Sequence, residues 1–173
     1  MTVLRNFGMC WAAVLLVGCA APEEPLTHND PSRYTVAANL HWSAPEGFDL
    51  GMDIYTPRSG KASFPVLVTF HGGGWLINDR SIMEQAAKYM VSNGEYVVCN
   101  VDYRLLGDQG NSVTLNEIVN DAFGAVLWVK DNIANYGGDP DRVALTGDSA
   151  GAHLAAAVVN LGPNLSINGR GSI

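Results

Sequence analysis

The 173-residue sequence predicts an α/β fold, with a mostly parallel β-sheet and helices on both faces. Three observations predict it. Short apolar, partly β-branched runs recur at Phe64–Phe70, Tyr96–Val101 and Arg142–Thr146. Stretches with helical spacing of apolar residues lie between and after them. Two glycine-rich segments, Gly72–Gly74 and Gly147–Gly151, fall where strands end, the side of an open α/β sheet on which ligands bind.

The elements follow in chain order. Arg5 and the apolar run Met9–Val17 form a basic n-region and an h-region suited to a signal peptide and too short to span a bilayer. Leu16-Val17-Gly18-Cys19 resembles a bacterial lipoprotein cleavage box, which assigns residues 1–18 to a leader and makes Cys19 the lipidated first residue. The alternative is ordinary secretory cleavage near Ala20 or Ala21. Residues 19–33 are rich in Pro, Glu, Asn and Asp in their middle and read as a solvated tether. The remaining domain, 34–173, opens with strands at Tyr34–Ala37 and Leu50–Tyr55. After Phe64–Phe70, Ser81 and Glu84 have capping-box spacing, and Ile82, Met83, Ala86, Ala87, Met90 and Val91 continue a helical face to Asn93-Gly94. Thr114 and Glu117 form a second such pair. Ile118, Ala122, Ala125, Val126, Val129 and Ile133 then keep one face until Gly137-Gly138. Ala150–Asn160 is an alanine-rich helix stopped before Gly162-Pro163.

Composition narrows the function. From Cys19 onward the length suits one domain, and removing Arg5 with the leader takes the formal charge from −7 to −8. An acidic chain without a basic stripe is expected to bind no nucleic acid. Cys10 lies in the leader and Cys19 carries lipid, so Cys99 is a small buried hydrophobe rather than half of a disulfide. No HExxH or paired Cys/His spacing calls for a metal, and no cofactor is expected. His28 and His41 precede the core strands and read as surface residues.

Two motifs carry the chemistry. Gly147-Asp148-Ser149-Ala150-Gly151 lies between a strand and a helix, the context of a nucleophile elbow that exposes a serine hydroxyl on a strained turn. Small residues at 147 and 151 let helix and strand approach closely. His71-Gly72-Gly73-Gly74-Trp75 is neither a P-loop nor a dinucleotide loop, since Gly-Lys-Ser/Thr and G-x-G-x-x-G are both lacking there. It fits the HGGG-type loop whose N–H groups meet a developing oxyanion. Residues 150–173 contain one histidine, His153, and no Asp or Glu. His153 belongs to the body of the helix, from which the elbow swings Ser149 away, so it is not expected to be the base.

Asp53–Pro57, HGGGW at 71–75, Val101–Leu105, Asn135–Val143 and GDSAG at 147–151 followed by His153-Leu154 occur in family order over residues 50–162. They resemble the N-terminal part of an α/β-hydrolase of the esterase/lipase group, which includes hormone-sensitive-lipase-like and feruloyl- or acetyl-esterase-like enzymes. The resemblance implies an α/β-hydrolase fold, C-terminally incomplete, with Ser149 as nucleophile and the N–H groups of Gly73, Gly74 and Ala150 as oxyanion hole. His71 would position the loop. It implies a carboxylic ester hydrolase acting through an acyl-enzyme on small-molecule or polysaccharide-linked esters. In that family the acid and the catalytic histidine follow the serine, and this chain has no positions for them. An acyl-peptide hydrolase, or a non-catalytic lipid-anchored remnant or binding module, are the alternatives. Lipid on Cys19 would place the protein on a membrane, at the outer membrane or cell surface rather than the inner membrane.

Overall fold

The computed structural model describes residues 30–162. The leader, Cys19, His28 and most of the tether lie outside them. Five strands form one sheet: β1 (Tyr34–Ser43), β2 (Leu50–Pro57), β3 (Phe64–Phe70), β4 (Val97–Val101) and β5 (Gly138–Gly147). Their spatial order is β1-β2-β4-β3-β5. β3 pairs in parallel with both β4 and β5, as strand–helix alternation predicts, while β1–β2 and β2–β4 are antiparallel, so the sheet is mixed.

Helix α1 (Glu84–Gly94) links β3 to β4, and α3 (Leu115–Asn132) links β4 to β5 after the four-residue turn α2 (Asp108–Asn111). Helix α4 (Ala150–Leu161) follows β5. Side-chain alternation along the strands divides the core between two faces. Tyr34, Tyr55 and Val98 meet Ala87 and Val91 of α1 on one side. On the other, Met52, Ile54, Val66, Val68, Phe70, Cys99 and Val101 pack with α3 and α4. Every residue of the predicted α3 stripe, Ile118, Ala122, Ala125, Val126, Val129 and Ile133, is buried. Cys99 is fully buried, and desolvation pushes its thiol well up.

The expected cap of the first helix is displaced. Asp79, not Ser81, is the capping residue: its Oδ1 accepts the Ser81 N–H at 2.8 Å and starts a 3₁₀ turn, Arg80–Met83, with α1 beginning only at Glu84. That turn rotates Ile82 to solvent, and Ala86 is exposed as well. At Thr114 the expected capping box is present, with Thr114 Oγ1 accepting the Glu117 N–H and Glu117 Oε2 accepting the Thr114 N–H at 2.7 Å. β1 extends to Ser43, beyond the predicted Ala37.

Two features of this topology place a site. The parallel strands end in register, with Phe70 opposite both Val101 and Gly147. The chain also moves outward from β3 to β4 and then returns across β3 to β5, with α1 and α3 on opposite faces. Such a reversal opens a crevice at the carboxyl ends of the strands.

Candidate active site

The segment leaving β5 is the nucleophile-elbow candidate. Ser149 has φ 46° and ψ −115°, a conformation that costs a non-glycine residue about 1–3 kcal/mol. Its neighbours hold it there. The Asp148 carbonyl accepts the Gly151 N–H at 2.8 Å, and the Ser149 carbonyl accepts the His153 N–H at 3.2 Å, so α4 begins immediately beyond the serine. Close packing tightens the turn. A Cβ on Gly147 would lie 2.5 Å from both the Gly151 carbonyl carbon and the Phe70 oxygen, and one on Gly151 would lie 2.7 Å from the His71 oxygen. Both positions therefore require glycine for space, as the sequence suggested. Ser149 itself is exposed.

The segment leaving β3 lies against this elbow. A Cβ on Gly72 would meet Asp148 at 2.8 Å from its Cγ and 3.0 Å from its carbonyl oxygen. Gly73 (φ 122°) and Gly74 (φ 64°) adopt conformations that favour glycine. The peptide planes of this loop are oriented by their carbonyls. His71 Nδ1 donates to the Gly72 oxygen at 2.8 Å, and the Gly73 oxygen accepts the N–H groups of Leu76 and Ile77 at 3.1 and 3.3 Å. In a trans peptide the C=O and the following N–H point oppositely. The Gly73 and Gly74 N–H groups are consequently turned away from the partners that hold those carbonyls. Among the described residues neither of them, nor the N–H of Ala150 at the start of α4, donates a hydrogen bond. The helix N-terminus adds its partial positive charge at Ala150.

Buried His71 reaches no solvent, and its imidazole stacks on Tyr103 with centroids 4.2 Å apart and planes 9° from parallel. It is a loop residue rather than a group facing the serine. His153 is exposed, and its imidazole packs edge-on against Trp75, 5.8 Å between centroids, without a hydrogen bond to the Ser149 hydroxyl among the described residues. His41 is a surface residue paired with Asp49.

Sequence reasoning missed the support beneath this site. The five residues after β4, Asp102–Leu106, hold the loop, and Arg104 of that segment is locked to α3. Its Nε and Nη2 donate to Asp121 Oδ2 and Oδ1, each at 2.8 Å, while its backbone N–H donates to Asp121 Oδ2 at 3.1 Å. Both residues are 5% exposed. Asp102 accepts the Arg80 N–H at 2.8 Å and pairs with its guanidinium. Only the polar character of Asp102, Arg104 and Asp121 inside apolar stretches signalled these pairs.

A strained serine between a strand end and a helix start, beside a glycine loop with undonated N–H groups, defines an α/β-hydrolase of the esterase/lipase type. The chain belongs to the BD-FAE family, which it matches over residues 52–170. It is similar to the carboxylesterase NlhH of Mycobacterium tuberculosis, 33% identical over 113 residues that cover 65% of this chain and 34% of that protein. Esterase B from Lactobacillus rhamnosis has a similar structure, with a TM-score of 0.68 at 30% identity over 79% of this chain and 42% of that one. Thermogutta terrifontis esterase 2, solved as the enzyme phosphorylated by paraoxon, gives a TM-score of 0.62 at 29% identity over 72% and 46% of the two chains. The chain thus spans about a third of the curated relative's length and under half of either solved chain.

Proposed function

We propose that this chain carries the nucleophile and oxyanion hole of a serine carboxylic ester hydrolase. The observation that carries the reading is the strained φ of Ser149 near three N–H groups that have no acceptor among the described residues. Ser149 Oγ adds to the ester carbonyl and passes its proton to a histidine base. The carbonyl oxygen becomes an oxyanion held by the Gly73, Gly74 and Ala150 N–H groups. Collapse expels the alcohol, which takes the proton back, and leaves the acyl group on Ser149. Water then repeats the sequence and releases the acid. The base and its orienting carboxylate are assigned to sequence beyond residue 173, since no described histidine ring bonds the Ser149 hydroxyl and the relatives are much longer. Small-molecule or polysaccharide-linked esters are the proposed substrates, in keeping with relatives described as esterases.

In the full-length protein, Ser149→Ala should lower kcat for p-nitrophenyl acetate by about 10⁶, the scale of removing a triad nucleophile. Retained turnover refutes the assignment. Faster cleavage of an acyl-peptide amide than of the ester would favour the peptidase alternative. Lipidation of Cys19 belongs to the same proposal, supported by the Leu16–Cys19 box. Cys19→Ser should shift the protein out of the membrane fraction, and an unchanged distribution would contradict the anchor.

A further inference from the structure

Tyr103 lies outside the machinery just described, yet it makes the shortest buried polar contact to the oxyanion loop. Its hydroxyl donates to the His71 carbonyl at 2.5 Å, and its ring carries the stacked His71 imidazole. The residue is 3% exposed. Burial, then the nearby Asp148 charge, holds the phenol above its ordinary range. A chain of contacts leads from there to the N–H groups. The stacked imidazole donates through Nδ1 to the Gly72 oxygen, and the Gly72–Gly73 peptide carries the Gly73 N–H on its opposite side. The other ring nitrogen, Nε2, is buried without a partner among the described residues. Among the described residues, the only hydrogen bond that orients this buried ring is the one through Nδ1, and Tyr103 stacks on its face.

The flanks of the same segment hold the rest of the loop. The Leu106 N–H donates to the Trp75 oxygen at 2.7 Å, and Asp102 holds Arg80 where the loop ends. Arg104, between them, is tied to Asp121 of α3. The segment is a splint whose own position is set by the core.

We propose that Tyr103 is a positioning residue for the oxyanion hole, acting through the His71 carbonyl and imidazole to set the Gly73 N–H. The proposal rests on the serine ester-hydrolase reading. Preorganised donors act on the oxyanion and hardly at all on the ground-state ester, so loosening them lowers kcat and leaves KM in place.

The test is made in the full-length enzyme. Tyr103→Phe keeps the ring and removes only the hydroxyl. The expected result is a fall of roughly 10-fold in kcat, less than the ~10²–10³ for loss of a direct donor, with KM within about twofold. The affinity for a trifluoromethyl ketone, which forms a tetrahedral oxyanion adduct on a serine, should weaken by the same factor. Tyr103→Leu, which also removes the stack, should lose at least as much. Rates are taken per serine titrated with an organophosphate, so a smaller folded fraction does not imitate the effect. Unchanged kcat and ketone affinity per titrated site in Tyr103→Phe would overturn the proposal, as would a rise in KM with kcat intact. If Ser149→Ala is inactive while Tyr103→Phe is normal, only this proposal fails. If Ser149→Ala is active, the serine reading fails and takes this one with it.

Discussion

Gly147→Ala tests the link between backbone packing and chemistry. The added Cβ would sit 2.5 Å from the Gly151 carbonyl carbon, 2.5 Å from the Phe70 oxygen and 2.7 Å from the Gly151 oxygen. All three are backbone atoms, so no side chain can swing aside. Restoring even a tight 3.0 Å approach requires a displacement of about 0.5 Å, and the two neighbours lie on different elements, β3 and α4. Moving α4 carries Ala150 with it, while moving the end of β3 carries His71 and the glycine loop. The proposed nucleophile and the proposed oxyanion donors of the glycine loop therefore separate whichever element yields. A shift of this size is at the tolerance of a catalytic constellation, and a 1 Å error costs about 10² in rate. Overpacking adds about 1–3 kcal/mol of destabilisation. In the full-length enzyme, kcat/KM for p-nitrophenyl acetate per folded molecule should fall about 10–100-fold, and urea denaturation should show the stability loss. Near-wild-type values of both would refute the argument that this glycine sets the distance between elbow and loop.

Asp121→Ala takes away the two short contacts of the buried Arg104 guanidinium and leaves it the longer ones to Glu117 and Glu46, at 3.5 and 3.9 Å, so it should cost about 3 kcal/mol in urea unfolding, the low end for a broken buried pair. A loss under about 1 kcal/mol would show that water replaces the carboxylate. At the glycine loop, Gly74→Asn should keep most activity, because φ 64° suits asparagine and a Cβ there meets nothing within 4 Å. Gly73→Ala should be inactive, since φ is 122° and its Cβ would run into the Ile77 carbonyl; equal activity of the two variants would contradict this contrast. The Thr114 hydroxyl, then its N–H, holds the Glu117 carboxyl below the usual range. A depressed carboxyl stabilises the fold above its unfolded pKa and loses that contribution as pH falls through the folded value. Thr114→Ala should therefore lower Tm at pH 7, with the gap from wild type narrowing below about pH 4; a gap constant into acid would refute it.

The elements and the two motifs could be read from the sequence because both rest on local signals. Strand runs, the α3 stripe and the Thr114–Glu117 box involve residues a few positions apart. The elbow needs only small residues at fixed offsets from Ser149, and the space they vacate is now seen to be filled by Phe70 and His71 backbone. What the sequence concealed is long-range. Tyr103 reaches back 32 residues to His71, Arg104 forward 17 to Asp121, and Arg80 forward 22 to Asp102. No periodicity encodes such partners. The antiparallel β2–β4 pairing is hidden for the same reason, since neither strand's pattern names its neighbour. The cap at Asp79 was missed because Asp79 and Ser81 are both competent capping residues, and a 3₁₀ turn shifts the start of the helix without disturbing the apolar spacing.

The central claim is that Ser149 is the acyl-accepting nucleophile. Incubation of the full-length protein with paraoxon, followed by proteolysis and mass spectrometry, locates the modified residue directly. The account predicts one diethylphosphoryl group per molecule on the peptide containing Gly147–Gly151, at Ser149, appearing in step with loss of esterase activity. An adduct on another residue that abolishes activity, or full inactivation with Ser149 unmodified, would contradict it.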